Sequence, residues 1–494
     1  MRLAELLKDI KFKNIYGSLD LNVEDISIKS NSATTGSIFT AIVGFKKDGH
    51  NFVHEAVERG EVTVMTQKKV KLPPAITQII VDDCRKSLPI LCRNFFGNPS
   101  KFFKLIGITG TNGKTTTCFL ISSILKNAGV RTSLITTVES SIMDEITTFD
   151  RTTPECLDLN RFFLKSKDKN IDAACMEISS HSIDLHRIDY LMFDHLVFTN
   201  LSQDHLDYHK NINNYFNVKK RIFLKKYRDI YGGKSAVINI DDSYGLKIAK
   251  ATDLKTVTYS LNGTADIRAG NIENSIYGIK MDVHINGSQK QFKITSSLCG
   301  YFNVYNILAA IGACLEMGVE VKHIQSGIKS MNGVKGRFEK VALNKNSIAI
   351  IDYAHTPDGL ENVLKTLKQI LEPGGRIIVV FGCGGDRDKK KRGIMGCISG
   401  RYADFNIITS DNPRNERPEA IINMIEKGLA KAGNKNYIKE IDRKKAIITA
   451  LNMVGSNDIV LIAGKGHENY QEFKDFRISF SDQEVVKDWI CKKR

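Results

Sequence analysis

A glycine-rich turn followed by Lys-Thr stands at Gly110-Thr111-Asn112-Gly113-Lys114-Thr115-Thr116, after the apolar run Leu105 to Ile108. Beyond it, Leu120, Ile121, Ile124 and Leu125 recur at helical spacing. A strand–turn–helix junction of this kind aims backbone N–H groups and a helix N-terminus at one point, which suits a phosphate chain. Lys114 then reaches the β- and γ-phosphates of a nucleotide, and the Thr115 hydroxyl reaches Mg²⁺. The common P-loop formula has glycine five residues before Gly113, where this chain has Ile108, so the loop is a variant. The alternative is a glycine turn without a ligand; Gly-Lys-Thr at a strand-to-helix junction argues against it.

Two further apolar runs end on polar residues. Ile171 to Ile178 closes on Glu177-Ile-Ser-Ser-His181, and Leu196 to Phe198 is followed by Thr199 to Asp207. Open parallel sheets bind ligands at the carboxyl ends of their strands. Glu177 and His205 are therefore candidates for Mg²⁺ handling, with Asn200 and Asp207 in reserve. Mg²⁺ prefers oxygen, so histidine is an unusual ligand for it, and a lone histidine is also a common structural residue.

The elements that must position these residues point to an α/β chain of about three domains, because 494 residues exceed what one core holds. Residues 1–98 alternate short strand-like runs with helices, and Asn98-Pro99-Ser100 reads as a hinge. Residues 99–335 carry the phosphate loop, a parallel sheet, and a small antiparallel sheet around Asn286-Gly287-Ser288. Residues 336–494 alternate again, in a Rossmann-like pattern. Gly382-Cys-Gly-Gly-Asp386 follows a strand there, but its spacing is wrong for a dinucleotide fingerprint.

Hydrophobic content of 42% and charge of 26% are ordinary for a globular protein. There is no apolar run of about 18 residues to insert in a membrane, and the acid-bearing N-terminus does not read as a secretory signal. Ten scattered cysteines without a C-x-x-C pair fit a reducing cytoplasm. The net charge of +16 is spread along the chain without a nucleic-acid-binding motif, so no nucleic-acid partner is expected; solvated surface and anionic small-molecule substrates account for it.

Gly110-Thr-Asn-Gly-Lys-Thr-Thr116, Glu177-Ile-Ser-Ser-His181, Asn200 to His205, Gly300-Tyr-Phe-Asn-Val-Tyr-Asn306, Gly336-Arg-Phe-Glu339 and Asp352-Tyr-Ala-His-Thr-Pro357 occur in that order. Together they resemble the Mur ligase family, the ATP-dependent amide-forming enzymes of peptidoglycan precursor synthesis. Gly385-Asp-Arg-Asp388, Asp411-Asn-Pro-Arg414 and Gly464-Lys-Gly-His-Glu468 are similar to motifs of members that add the third stem-peptide residue to UDP-N-acetylmuramoyl-L-alanyl-D-glutamate. The resemblance runs over essentially the whole chain. It implies a UDP-binding first domain, a central ATPase and an amino-acid-binding last domain in a cytoplasmic enzyme, expected to be a monomer. ATP would phosphorylate the D-glutamate γ-carboxylate, and an amine would displace the phosphate.

The same resemblance assigns residues. Gly110 to Thr116, Asn303, Arg337 and Asp352 would bind ATP; Asn303 could instead cap a helix and Asp352 simply end a strand. Thr115, Glu177, His205 and Lys219 would hold Mg²⁺, and Lys114, Glu177, His205 and Lys219 would be catalytic. Lys219 matches a lysine carbamylated in the family, which the residues alone do not distinguish from Lys220 or Arg221. Ser30, Thr152, Thr153, Ser179 and Arg187 would take the UDP-muramoyl dipeptide, although Lys29-Ser30-Asn31 and Leu185 depart from the family pattern. Arg387, Asp411, Asn412, Pro413, Arg414, Gly464 and Glu468 would choose the incoming amino acid. A guanidinium at Arg414 suits the extra carboxylate of meso-2,6-diaminopimelate, and Glu468 suits the ammonium on the same carbon.

L-Lysine, a sulfur-bridged diamino diacid, or a folylpolyglutamate-synthetase-like reaction are the alternatives. A GTPase switch lacks its Asn-Lys-x-Asp here, and a nucleic-acid-binding ATPase leaves the later motifs without a role.

Overall fold

The computed structural model describes all residues except 46, 61–62, 288–290, 344–345 and 494. Val62, expected in a strand, and Ser288, expected in a hairpin turn, lie outside the described residues. Two compact units are formed: Met1–Asp266 with Ala309–Glu320, and Ile267–Leu308 with Val321–Arg494.

The first unit contains two sheets. A five-stranded sheet runs in the order Phe12–Tyr16, Thr77–Val81, Thr63–Thr66, Ile38–Thr40, Ile26–Ser27, with only Phe12–Tyr16 antiparallel to its neighbour. Its core joins Leu88, Leu91 and Cys92 of the helix Cys84–Phe96 to Cys156 and Leu157 of the helix Cys156–Asp168. Arg161 strengthens that junction by donating to Asp25 Oδ2 at 2.7 Å and to the Ile26 carbonyl at 2.9 Å. The segment expected to be a hinge is tied down instead. Pro99–Phe102 is a 3₁₀ turn, and the buried Ser100 hydroxyl donates to Asn98 Oδ1 and accepts from the Met192 N–H. Proline presets the turn, and the two buried polar side chains satisfy each other.

The second sheet of this unit has Lys104–Thr109 at its centre, flanked in parallel by Ala173–Ile178 and Phe193–Phe198. Thr132–Ile135 continues one side, and Gly232–Asn239 then Lys255–Ser260 the other, all in parallel. The three central strands are buried from Leu105 to Thr109, Ala173 to Ile178 and Phe193 to Phe198, as continuous apolar runs covered on both faces require. Their carboxyl ends therefore bring Thr109, Ile178 and Phe198 into register on one edge.

In the second unit, Ile267–Ser275, Gly278–Ile285 and Gln291–Ser296 pair antiparallel, as the hairpin pattern predicts. A six-stranded sheet follows in the order Glu339–Ala342, Ile348–Asp352, Ile459–Ala463, Ile377–Phe381, Phe405–Ile408, Tyr437–Lys439; only the first pair is antiparallel. Pro418 opens the helix Pro418–Lys431, where its missing N–H costs nothing, and Ile421, Ile422, Ile425 and Leu429 form the buried face. Among the described residues, no helix is long and apolar enough to cross a membrane.

An ion pair without solvent contact braces the carboxyl edge of this sheet. Arg443 Nε and Nη2 donate to the two oxygens of Asp482 at 2.8 Å each, and Nη2 also donates to the Ala463 carbonyl at 3.0 Å. Replacing Arg443 by Met should strand the Asp482 carboxylate and cost about 3–5 kcal/mol, read as a lower urea midpoint. A loss below about 1 kcal/mol would refute this bracing role.

Candidate active site

The phosphate loop begins where the central strand Lys104–Thr109 ends and stops at Lys114, the first residue of the helix Lys114–Asn127. Gly110 has φ +151°, and a Cβ there would lie 2.0 Å from Thr199 Oγ1. Only glycine lets the loop pass so close to the neighbouring strand end. That strand end also holds the loop's shape. The Asn200 carbonyl accepts from Thr111 N–H at 2.8 Å, Asn200 Oδ1 accepts from Asn112 N–H at 2.9 Å, and the Thr199 hydroxyl donates to the Asn112 carbonyl at 2.6 Å. Lys114 Nζ lies on the loop, donating to the Gly110 and Thr111 carbonyls at 3.1 and 2.7 Å. The buried Thr116 follows in the first turn of the helix.

Glu177, 1% exposed, stands one residue before the end of the adjacent strand. Its Oε1 accepts from Thr115 Oγ1 at 2.8 Å and from the Thr137 N–H at 2.8 Å, while the Thr137 hydroxyl lies 3.2 Å from both oxygens. Thr137 Oγ1 also donates to Thr152 Oγ1 at 3.0 Å. The Glu177 carbonyl accepts from Thr153 Oγ1 at 2.9 Å, and Thr153 Oγ1 donates to Ser179 Oγ at 3.3 Å. Arg187 reaches the Thr153 carbonyl at 3.3 Å. The sequence-expected residues of phosphate handling and of the first substrate are thus connected through one residue, Glu177, by its carboxylate on one side and its backbone carbonyl on the other. Ser30 is not in this network; its hydroxyl donates to Glu55 Oε2 at 2.9 Å.

Lys219, 1% exposed, donates to the Gly110 carbonyl at 2.8 Å and to Thr109 Oγ1 at 3.3 Å. Burial, and then the nearby Lys114 ammonium, hold its pKa well below the usual lysine value. Lys220 is half-buried and Arg221 pairs with Asp184 at 3.0 Å, so among the three basic residues Lys219 is the one turned onto the loop. His205, left-handed at φ 53°, sits with Nε2 3.4 Å from Asp204 and its ring 4.9 Å from that of His181. Among the described residues, no group of three or more His, Cys, Asp or Glu is placed to hold a metal ion. Thr115 and Glu177 are in contact as oxygen donors, the type Mg²⁺ takes alongside phosphate oxygens. His205 has no hydrogen bond to either among the described residues.

In the second unit, Asn303 lies in the first turn of the helix Tyr301–Glu316 and donates to the Cys299 carbonyl at 2.7 Å. Asp352 is the last residue of its strand, and both carboxylate oxygens accept backbone N–H groups, from Phe338 at 2.6 Å and Ala354 at 2.8 Å. Burial raises its pKa. The Arg337 guanidinium lies 4.7 Å over the Tyr353 ring, and its buried Nε has no partner among the described residues.

The later motifs converge. Asn412 Nδ2 donates to Glu468 Oε2 at 3.0 Å, and the Asn412 carbonyl accepts from the Gly385 N–H at 2.9 Å. The buried Pro413 lies against Gly385, where a Cβ would be 1.9 Å from the Pro413 carbonyl. Asp411 Oδ2 lies against Gly464, which has φ +114° and where a Cβ would be 2.7 Å from that oxygen. Arg414 donates through Nε to Glu472 Oε2 and through Nη1 to the Gly385 carbonyl, each at 2.9 Å. Arg387 alone is exposed, beside Gly384.

Three participants were missed from the sequence. Thr137 follows a strand next to the phosphate-loop helix, a position that could have been read as ligand-facing. Lys465 lies inside a quoted motif but is an ordinary lysine by type. Glu472 carries no local signal, since its partner Arg414 is 58 residues away.

A glycine loop over a buried carboxylate at the carboxyl edge of a parallel sheet defines a nucleotide-dependent phosphoryl-handling enzyme. The Mur ligase middle domain matches residues 108–314, and the Mur ligase glutamate ligase domain matches residues 336–466. A Clostridium perfringens protein named UDP-N-acetylmuramoyl-L-alanyl-D-glutamate--2,6-diaminopimelate ligase is 42% identical over 496 residues, covering 99% of each chain. A Clostridium acetobutylicum protein of the same name, numbered 1, is 40% identical over 492 residues, again covering 99% of each. A solved structure of a ligase so named aligns with TM-score 0.70 at 30% identity, covering 100% of this chain and 99% of that one. The chain belongs to the Mur ligase family.

Gly110→Ala should abolish nucleotide binding while leaving the unfolding midpoint little changed, because the added methyl displaces the loop rather than the core. Undiminished thermal protection by ATP in Gly110→Ala would contradict this placement.

Proposed function

We propose that this ATP-dependent ligase joins meso-2,6-diaminopimelate to the D-glutamate γ-carboxylate of UDP-N-acetylmuramoyl-L-alanyl-D-glutamate, releasing ADP and phosphate, in peptidoglycan precursor synthesis. The observation that carries the choice of amino acid is the cluster of Asp411, Asn412, Arg414, Gly464 and Glu468, which sets a guanidinium and a carboxylate in one hydrogen-bonded network. Arg414 is held by two of its donors and has others for a substrate carboxylate, while Glu468 suits the ammonium beside it.

A carboxylate is a poor electrophile, so the γ-carboxylate oxygen first attacks the γ-phosphorus of ATP and ADP leaves. The amine then attacks the acyl carbon, loses a proton, and phosphate departs with the C–O bond. Lys114 and the Gly110–Thr116 amides bind and orient the phosphates. Thr115 and Glu177, with His205 and a modified Lys219 as further ligands, would hold Mg²⁺, which would supply neutralisation of phosphate charge when bound. Asn303, Arg337 and Asp352 are assigned to ATP, and Ser30, Thr152, Thr153, Ser179 and Arg187 to the UDP-muramoyl dipeptide. In support of an anionic substrate, Arg85, Arg151 and Arg187 all pair with the single carboxylate of Glu155, an excess of positive charge beside Thr153. The reading places domain limits at 1–98, 99–335 and 336–494, and the enzyme in the cytoplasm as a monomer.

Lys219 is suited to carbamylation. Its lowered pKa favours the neutral amine relative to an ordinary lysine, and only a neutral amine adds to CO₂, forming the N–C bond and losing a proton. The product is an oxygen-bearing anion beside the loop. Lys219→Ala should lose most activity, and short carboxylic acids should partly restore it; a fully active Lys219→Ala enzyme would refute the assignment. With ATP and the UDP-muramoyl dipeptide, phosphate release should require meso-2,6-diaminopimelate, and equal turnover with L-lysine would overturn the specificity.

A further inference from the structure

Lys465 is the middle of an unusual triangle. Its side chain has 0% exposure, so its ammonium must be compensated entirely from within. Nζ donates to Asn412 Oδ1 at 3.1 Å and to Glu468 Oε2 at 3.0 Å, and lies 5.3 Å from the centre of the Tyr470 ring. Asn412 and Glu468 are themselves joined through Asn412 Nδ2 at 3.0 Å. Each corner of the triangle therefore bonds the other two. The Asn412 amide has only one orientation compatible with this. Its oxygen faces two donors, Lys465 Nζ and the Glu472 N–H at 3.0 Å, and its nitrogen faces a carboxylate.

The consequence falls on Glu468. Oε2 accepts from both Lys465 and Asn412, while Oε1 accepts no hydrogen bond among the described residues. The Glu468 side chain is 18% exposed against complete burial of the lysine, so the solvent-accessible side of the triangle is the carboxylate. A simple i,i+3 surface pair would do none of this, since both partners would be solvated and free to rotate.

We propose that Lys465 is a positioning residue for the incoming amino acid, fixing Asn412 and Glu468 so that Glu468 Oε1 meets the substrate ammonium. This rests on the amino-acid site proposed above. Lysine suits the role because its ammonium bridges two acceptor oxygens at one point, and a neutral side chain of similar length would leave the two oxygens facing each other without a cation.

The experiment compares Lys465→Met, Glu468→Gln and the double variant in steady-state kinetics with all three substrates. Lys465→Met should raise the KM for meso-2,6-diaminopimelate about ten- to a hundredfold, the effect of losing hydrogen bonds to a charged group. KM for ATP should stay near its original value, which a general loss of structure would not permit. The double variant should be no worse than Glu468→Gln alone, because Lys465 acts through Glu468. Lys465→Gln, which keeps a donor without the charge, should fall between the wild type and Lys465→Met, and it carries the same test if Lys465→Met does not fold.

An unchanged KM for the diamino acid in both Lys465 variants, with Glu468→Gln impaired, overturns the proposal and leaves the site reading standing. Additive effects, or equal rises in all three KM values, overturn it as well by making Lys465 merely structural. If Glu468→Gln has no effect on that KM, the amino-acid site itself is wrong, and the role of Lys465 falls with it.

Discussion

A carboxylate buried to 1% exposure at the carboxyl edge of a parallel sheet is an expensive group to keep, and the arrangement around Glu177 follows from keeping it. Its oxygens need donors, and the fold supplies them from different elements: Thr115 at the start of the phosphate-loop helix, and the amide and hydroxyl of Thr137 beyond the next strand. Those donors can meet one carboxylate only if the helix, the loop and two strand ends keep their relative positions. The same residue's carbonyl fixes Thr153, and through it Ser179 and Arg187. One buried residue thus ties the phosphate loop, through its carboxylate, to the place where the acceptor carboxylate is proposed to lie, through its backbone carbonyl.

The positive charge of the chain acquires a local meaning in this frame. Lys114 and Lys219 both donate to the Gly110 carbonyl, at 3.1 and 2.8 Å. Two ammonium groups sharing one acceptor repel each other, and the buried one gives up its proton more easily. Lys114 is less buried than Lys219, so the two lysines meet the same carbonyl from different depths. Two lysines of identical type thus differ in environment, and the proposed roles of phosphate cation and carbamylated amine follow that difference in depth. The second unit uses charge differently. Arg414 with Glu472, Lys465 with Glu468, and Arg392 with Glu416 are paired cations and anions that shape loops before any substrate arrives.

What the sequence made legible was whatever depends on neighbours in the chain. Gly110 to Thr116 announced a phosphate loop because the turn, the lysine and the helix start are contiguous. Asn98-Pro99-Ser100 misled for the same reason. Its composition is that of a hinge, yet the bond from the distant Met192 N–H, invisible in local spacing, makes it rigid. Asp352 shows the limit within a motif. Its resemblance suggests a ribose contact, while both oxygens are already engaged by Phe338 and Ala354 amides, so any ligand contact must share them.

Lys465 and Glu472 mark where pattern reading stops. A lysine between two glycines carries the expectation of a solvated side chain, and only the approach of the Asp411–Arg414 loop turns it into a buried cation. Glu472 lies on the short strand Tyr470–Glu472, whose backbone also bonds that loop: the Glu472 N–H donates to Asn412 Oδ1, and the Glu472 carbonyl accepts from the Arg414 N–H. Selectivity for an amino acid therefore depends on more than the residues that would touch it. In the proposed site, Arg414 would grip a carboxylate only in the direction that Glu472 and the Gly385 carbonyl leave open, and Glu468 would receive an ammonium only on the oxygen that Lys465 and Asn412 do not occupy. On that proposal the four-residue loop would carry the recognising groups, and the strand and lysine behind it would decide which way they face.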